Sequence, residues 1–508
     1  MAKSAPLYRP PSALDVLRLP FIGRVLRHRY GRLALQIPFF ALAALLIYDG
    51  FTGDPLAGRN LATVVPWVHY RGFVVLALLL AGNLFCMGCP FTLPRTLAKR
   101  LSIGGPRFPK VLRSKWIAIA SLLALFFAYE WLDLWASPAL TAWLIIAYFV
   151  AAFVLEAVFT ESPFCKYVCP LGSFNFVYST LSPAQIGVHD RETCRTCVGK
   201  ECLNGSYAPQ PVVLIDQIAD DGAPSRTHSH TPQGTLGCGT LLFAPQIKSN
   251  MDCIMCLDCA RACPYENVGL FTRRPGVELT RTDALPQRYD LAFLIIILAA
   301  FGLINAFGMV PPVYDLMQSL ATALGLTAAG WTDAAIEAVV LGLIFVVGAV
   351  LLPIALSLAA AQAARLLTGT RQRDSLRTTL TAFAPAFVPI GFGLWAAHYG
   401  FHFLIGFLTL VPVVQYFLLD HGMTLFGPPN WSLGGITNLE VVGLIQVLAL
   451  LAGFVGSLIV AQRIAMRLYR RQAVPGLLPW ALLLLVMMLA GWWIFSLPME
   501  MRGTLLFS

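Results

Sequence analysis

Long apolar stretches separated by short polar loops make up most of this chain. A helix needs about 20 apolar residues to cross the hydrocarbon core of a bilayer. Nine stretches qualify, at 33–50, 64–86, 115–134, 138–160, 289–310, 334–360, 379–406, 438–462 and 477–497. The apolar segment 407–425 contains Pro412, and we expect a re-entrant or interfacial helix there. The pattern predicts an all-α polytopic membrane protein.

Basic residues are concentrated in alternate loops of this pattern. The loops after the second, sixth and eighth stretches are rich in arginine and lysine, whereas the opposite loops have only Arg59 and Arg502 as basic residues. The acidic residues of those opposite loops are Asp54, Glu130, Asp133, Asp315, Asp333, Asp420 and Glu500. By the positive-inside rule, this distribution predicts nine spans in a bacterial inner membrane, with the N-terminus in the cytoplasm and the C-terminus outside. The net charge of +10 is therefore interpreted as a topology signal and not as a sign of nucleic-acid binding.

One long hydrophilic segment interrupts the apolar stretches. The composition, 57% hydrophobic and 12% charged, otherwise describes a chain buried in lipid, and no signal peptide is expected. The division that we predict has four parts: a basic cytoplasmic N-terminus at 1–32, a four-helix membrane half at 33–160, a cytoplasmic ferredoxin-like domain at 161–288, and a five-helix membrane half at 289–508.

All twelve cysteines lie between Cys86 and Cys263. The most specific motif has the spacing Cys-x2-Cys-x2-Cys-x3-Cys-Pro and begins at Cys253. In two-cluster ferredoxins, the first three thiolates of such a motif bind one [4Fe–4S] cluster and the fourth binds the other cluster. A zinc ribbon is the alternative to this interpretation.

A second group of cysteines lies upstream, where Cys194, Cys197 and Cys202 are followed by a lone Cys238. If ligands are exchanged as in two-cluster ferredoxins, two ligand sets result. They are Cys194, Cys197, Cys202 and Cys263 for one cluster, and Cys238, Cys253, Cys256 and Cys259 for the other. The insertion at 203–237 contains His228 and His230, for which a solvated polar loop is the simpler interpretation.

Two shorter motifs end the second and fourth apolar stretches. Cys86 and Cys89 form a Cys-x2-Cys-Pro motif, and Cys165 and Cys169 form a Cys-x3-Cys-Pro motif. Two neighbouring helices would bring these four thiols together, and we expect them to bind a third [4Fe–4S] cluster. A regulatory dithiol pair and small buried residues at helix ends remain alternatives, whereas structural disulfides are disfavoured in the cytoplasm.

These motifs together resemble the NosR/NapH family of membrane polyferredoxins, to which the cytochrome oxidase accessory protein CcoG is related. The resemblance covers roughly residues 30–290. It implies a cytoplasmic domain with two [4Fe–4S] clusters and electron passage between the quinone pool and periplasmic respiratory partners. The chain departs from the family in its Cys-x2-Cys-Pro pair, in lacking a flavin-binding domain ahead of the first span, and in five further helices. In the last respect it is similar to the FesM-type iron–sulfur membrane proteins of phototrophic bacteria.

The remaining candidate residues lie near the predicted outer ends of the second and seventh stretches. They are His69, Arg71, His398 and His402. Ionisable residues within a membrane are costly and mark functional sites by default. Neutral imidazole ligates haem iron or donates to a quinone carbonyl, so a quinone or a b-type haem is the expected ligand. Interfacial histidines that hydrogen-bond to backbone or to lipid headgroups are the alternative.

The sequence thus predicts a quinone-linked electron-transfer oxidoreductase. It would carry electrons between cytoplasmic [4Fe–4S] clusters and a quinone or a periplasmic cytochrome, with lipid and a redox subunit as partners. The alternative is a redox-dependent assembly or regulatory factor for a respiratory or photosynthetic complex. No GxGxxG turn, phosphate-binding loop or Cys-x-x-Cys-His motif is present, so nicotinamide, ATP and c-type haem are not expected.

Overall fold

The structure of the chain is a computed structural model. It describes residues 13–28, 30–93, 98, 106–159, 162–206, 234–281, 284–370 and 372–500. The fold is 70% helix and 2% strand, which confirms the prediction of an all-α membrane protein at the level of fold class.

The N-terminal half and the hydrophilic segment contain short and long helices. They are α1 Ile22–Arg27, α2 Gly31–Thr52, α3 Leu61–Ala81, α4 Leu84–Met87, α5 Trp116–Trp131, α6 Pro138–Val158, α7 Pro170–Tyr178, α8 Arg191–Thr196, α9 Glu201–Asn204 and α10 Asp258–Ala262. The C-terminal half contains α11 Tyr289–Phe307, α12 Pro312–Ala323, α13 Asp333–Leu367, α14 Leu376–Phe383, α15 Phe387–Gly406, α16 Leu410–Asp420, α17 Leu439–Tyr469 and α18 Ala473–Phe495. Two strands, β1 Ala184–Val188 and β2 Val268–Thr272, form an antiparallel pair.

Within the described residues, seven helical stretches are long and apolar enough to cross a membrane. They are α2, α3, α6, α11, α13, the stretch Leu376–Asp420, and the stretch Leu439–Phe495 that contains α17 and α18. Helix α5 is apolar but has only 16 residues. The membrane-embedded character is therefore confirmed, while the count of nine spans and the orientation of the ends stay predictions.

Helix α15 lies at the centre of the membrane part. Its Trp395 is fully buried and donates a hydrogen bond to the carbonyl of Leu298 on α11 at 2.9 Å. Gly453 of α17 faces it so closely that a Cβ there would lie 2.7 Å from the carbonyl oxygen of Pro389. Glycine is required at this crossing because only a residue without Cβ lets the two backbones meet.

Helix α16 follows a break after α15. Its 11 residues extend only about 17 Å, which is too short to cross the hydrocarbon core. The chain around it is held by backbone hydrogen bonds from Leu408 to Gly434 and from Ile436 to Leu404. This geometry suits the re-entrant or interfacial helix predicted for 407–425.

The hydrophilic segment is tied to the membrane helices by buried polar contacts. Arg32 at the start of α2 forms an ion pair with Asp258 at 2.8 Å, and Lys115 pairs with Asp252 at 2.6 Å. In addition, Phe174 of α7 stacks edge-on against Trp395 of α15, with ring centroids 5.3 Å apart. Helix α7 thus packs among the membrane helices although it lies inside the predicted 161–288 domain.

Part of the basic N-terminus packs against the same segment. Asp15 accepts a hydrogen bond from the backbone N–H of Leu270 on β2 at 3.0 Å and lies 2.9 Å from His189 Nε2. Leu17 is buried beside it. Residues that were predicted only as a cytoplasmic tail therefore extend the fold of the β1–β2 hairpin.

Candidate metal centres

The first predicted ligand set comes together around a small cavity. Its lining includes all four cysteines of the set, Cys194, Cys197, Cys202 and Cys263. The side chain of Asp190 caps α8 by accepting from two backbone N–H groups, which fixes the helix that carries Cys194. The structure therefore brings Cys263 to the upstream cysteines, as ligand exchange requires.

The environment of these four thiols combines burial with hydrogen-bond donors. Asn267 Nδ2 donates to Cys194 Sγ at 3.1 Å. Burial raises the pKa of Cys197 to about 11 and the pKa of Cys202 to about 12. Both groups are therefore protonated thiols at neutral pH unless a bound cation replaces the proton.

The second set is built on a strained loop. Met255 and Leu257, which alternate with the cysteines of the motif, have φ values of 45° and 61°. Left-handed backbone costs energy for such side chains and persists where the surroundings impose it, typically at ligand sites. At these two left-handed residues the chain changes direction within the segment that carries Cys253, Cys256 and Cys259. All three cysteines are buried.

Cys238 completes the second set. Its backbone N–H donates to the carbonyl of Cys202 at 3.1 Å, and its Sγ accepts from the backbone N–H of Leu242 at 3.3 Å. It is close enough to Cys253 and Cys259 for their charges to interact. Cys238 therefore lies between Cys202 of the first set and the buried cysteines of the second set.

The third set lies where the hydrophilic segment meets the membrane helices. Cys165 is close enough to Cys86, Cys89 and Cys169 for their charges to interact. Cys169 is the N-cap of α7, with Pro170 at the first helical position, and its Sγ accepts from the backbone N–H of Gly172 at 3.2 Å. The proline of the motif is explained by this position, where its missing N–H is not needed.

The donor atoms of these groups are of the type that ligates iron–sulfur clusters. All twelve cysteines are free of disulfides. In the part of the chain that the structure describes, no three His, Cys, Asp or Glu side chains form a group that could hold a metal ion. A [4Fe–4S] cluster is held by four cysteine thiolates. Buried sulfurs that accept N–H hydrogen bonds are suited to that role, because such bonds favour the anionic thiolate.

The three sets form a continuous row. Cys202 of the first set is close enough to Cys259 of the second for an electrostatic interaction. Cys86 of the third set is likewise close enough to Cys253 and Cys256 of the second set for an electrostatic interaction. The order is therefore from the exposed end of the hydrophilic segment toward the membrane helices.

A cavity of about 210 Å³ begins at the third set. Its lining is mostly apolar and runs from Cys89 and Asn175 at one end to Arg71 and Tyr399 at the other. The volume exceeds the ~150 Å³ of an apolar cavity that accommodates benzene. The cavity thus provides space for a planar ring next to the thiol of Cys89.

Arg71 is the cationic group of this cavity. Its guanidinium lies over three aromatic rings, 4.6 Å from Trp67, 4.4 Å from Tyr129 and 5.1 Å from Tyr399, and it donates to the Tyr129 hydroxyl at 3.3 Å. Cation–π contacts of this kind stabilise a desolvated charge. Of the four residues predicted to form a quinone or haem site, Arg71 is the one that lines the cavity.

The three histidines of that prediction occupy other surroundings. His69 is buried, with Nδ1 3.1 Å from the carbonyl of Val64 and Nε2 3.0 Å from the carbonyl of Phe407. His398 and His402 place their Nε2 atoms against the sulfur of Met309. The structure does not gather the four residues around one pocket, and their shared site stays a prediction. His228 and His230 lie outside the described residues.

Sequence reasoning missed the donors to sulfur. Asn267 serves Cys194, and Asn175 Nδ2 donates to Cys86 Sγ at 3.2 Å. A single asparagine near a cysteine motif is too common to indicate such a contact. The apolar residues after Cys169 could have indicated this contact, because they form a buried helix that carries Asn175 beneath the third set.

Comparison with family models, with curated proteins and with solved structures found no match to this chain. The features of this chain that bear on its function are the three groups of four cysteines and the adjoining apolar cavity.

Proposed function

We propose that this chain is a membrane electron-transfer protein of the polyferredoxin type, in which three four-cysteine centres connect a soluble redox partner with a quinone. Bound [4Fe–4S] clusters would supply one-electron carriers at these centres. The observation that carries the proposal is the position of Cys89, which belongs to the third cysteine set and also lines the apolar cavity.

The protein's own residues define the two ends of the path. At one end, Cys194 and Cys197 are only partly buried, so a soluble donor or acceptor can approach that set closely. At the other end, Arg71 offers a positive charge and hydrogen-bond donors to the oxygen of a bound quinone. The apolar lining between Cys89 and Arg71 excludes water and accepts an isoprenoid tail.

The cavity substitution Leu144→Trp tests this proposal. Leu144 lines the cavity, and the indole would occupy the space that a quinone ring needs. We expect reoxidation of the reduced clusters by decylubiquinone, in proteoliposomes, to slow at least tenfold, which corresponds to about 1.4 kcal/mol in activation free energy. Iron content should stay that of the wild type.

Val150→Trp is the matched control. Val150 lies on the same helix, is 55% exposed and does not line the cavity. Its substitution should leave the rate unchanged. Reoxidation of both variants by decylubiquinone at the same rate would refute quinone binding in this cavity. An assembly or regulatory factor would show no reoxidation by quinone in the wild type either.

A further inference from the structure

A second group of potential ligands lies at the far end of the membrane helices. Met309 follows the end of α11, and His398 and His402 lie one turn apart on α15. The Nε2 atom of each histidine is 3.2 Å from Met309 Sδ. All three side chains are buried, with exposures of 1%, 0% and 2%. We propose that Met309, His398 and His402 form a binding site for one soft monovalent metal ion of the Cu(I) class.

The donor atoms determine the class of ion. Thioether sulfur is a soft ligand that selects Cu(I), and imidazole nitrogen is an accepted ligand of copper. As a hydrogen-bond acceptor, by contrast, thioether sulfur is weak, so the Met309 sulfur is better matched to a soft cation than to imidazole N–H groups. The two Nε2 atoms both contact Met309 Sδ, an arrangement like that of ligand atoms around a shared metal ion.

Charge limits the ion further. Neutral imidazoles and a thioether leave the whole charge of a bound metal uncompensated within the membrane helices. The Born cost of burying an ion rises with the square of its charge, so a divalent ion costs about four times as much as a monovalent one. Arg71 lies over the ring of Tyr399, the residue next to His398. Its positive charge further disfavours a divalent ion relative to a monovalent one.

Asn305 independently indicates that an ion or a water molecule binds in this region. It lies on α11 one turn before Met309 and is fully buried. Neither its Nδ2 nor its Oδ1 has a hydrogen-bond partner among the described residues. Unsatisfied buried amides in native proteins commonly mark bound water or ions. An ion with a water ligand at Met309 would bring a partner within reach of this amide.

The site is separate from the cysteine centres. Helix α11 begins where the hydrophilic segment ends and has 19 residues, so Met309 lies about 28 Å farther along the helix axis than Tyr289. Loss of this ion should therefore leave the cluster signals unchanged. This separation makes a failure of the copper proposal distinguishable from a failure of the proposed electron-transfer function.

The test is a competition titration of the anaerobically purified protein, with its clusters intact, using Cu(I) and bicinchoninate. The comparison variant is Met309→Leu, because leucine nearly preserves the packed volume and removes the sulfur. The wild type should bind one more Cu(I) per chain tightly than the variant. Copper bound at the twelve cysteines cancels in this difference, since both proteins carry them.

X-ray absorption identifies the ligands of the additional ion. We expect one sulfur and two imidazole neighbours, loss of the same ion in His402→Leu, and its retention in the control Met317→Leu. If Met309→Leu loses its iron, the His402→Leu titration decides the question. Equal Cu(I) uptake in wild type and variants, or a signal from sulfur neighbours alone, would overturn the proposal.

Discussion

Asn267 and Cys194 are 73 residues apart in the chain, yet the amide Nδ2 of the asparagine donates to the cysteine sulfur at 3.1 Å. Hydrogen bonds to ligand sulfur stabilise the reduced, more negative state of an Fe–S cluster and so raise its reduction potential. We expect Asn267→Ala to lower the potential of the first centre by on the order of 30 mV. Redox titration followed by electron paramagnetic resonance measures this shift.

Asn175→Ala is the matched variant at the third centre, because Asn175 donates to Cys86 Sγ at 3.2 Å. Each variant should shift one signal and leave the other two unchanged. If both variants shift the same signal, the assignment of these asparagines to separate centres is wrong.

The proposed exchange of ligands between the first and second cysteine sets gives a second prediction. Cys263→Ser should alter the same resonance signal as Cys194→Ser, because both cysteines line one cavity. Cys256→Ser should alter a different signal, although it lies closer to Cys263 in sequence. Identical spectra for Cys263→Ser and Cys256→Ser would contradict the exchanged arrangement.

The ion pair between Arg32 and Asp258 predicts an effect on stability. Both side chains are nearly buried, at 11% and 7% exposure. Removing one partner of a buried ion pair is costly, typically about 3–5 kcal/mol when the other charge is left unpaired. Because Arg261 still pairs with Asp258, we expect Arg32→Leu to destabilise the protein by a smaller amount, about 2 kcal/mol. The midpoint of thermal unfolding in detergent measures the loss.

Arg18→Leu serves as the control for that experiment. Arg18 is 67% exposed and lies 3.8 Å from Asp15, and exposed pairs contribute little. Its unfolding midpoint should match the wild type. A midpoint for Arg32→Leu that equals the control would show that the pair does not hold the hydrophilic segment in place.

A further prediction concerns orientation in the membrane. Val198 lies in the hydrophilic segment and is 96% exposed, and Leu425 lies after α16 and is 84% exposed. Given the positive-inside rule, a membrane-impermeant maleimide should label Leu425→Cys in intact spheroplasts. It should label Val198→Cys only after permeabilisation. Labelling of both from the outside would refute the predicted orientation.

The sequence located the helices well, because apolar stretches of membrane length leave few alternatives. The predicted span 138–160 and the helix Pro138–Val158 nearly coincide. The motif spacing also predicts that Cys263 lies beside the upstream cysteines, and in the structure these four line one small cavity. Contacts between distant residues could not be predicted from the sequence. Nothing in the chain indicates that Met309 contacts His398, which lies 89 residues later.

The packing of the N-terminal residues was missed for a different reason. Basic residues before the first span are a strong topology signal, and this signal obscured the buried pair of Asp15 and Leu17. A short stretch of this kind has no periodicity of its own. Its conformation is imposed by the β1–β2 hairpin on which it packs.

The position of Asp15 on that hairpin also constrains how the protein is made. Its partner Leu270 lies 255 residues later in the chain. At about 5–20 residues per second, a ribosome needs roughly 13–50 s to reach it. During that interval Asp15 and Leu17 have emerged, several helices are entering the bilayer, and the hairpin does not yet exist. Asp15 and Leu17 are therefore synthesised early but must be among the last residues to reach their folded positions.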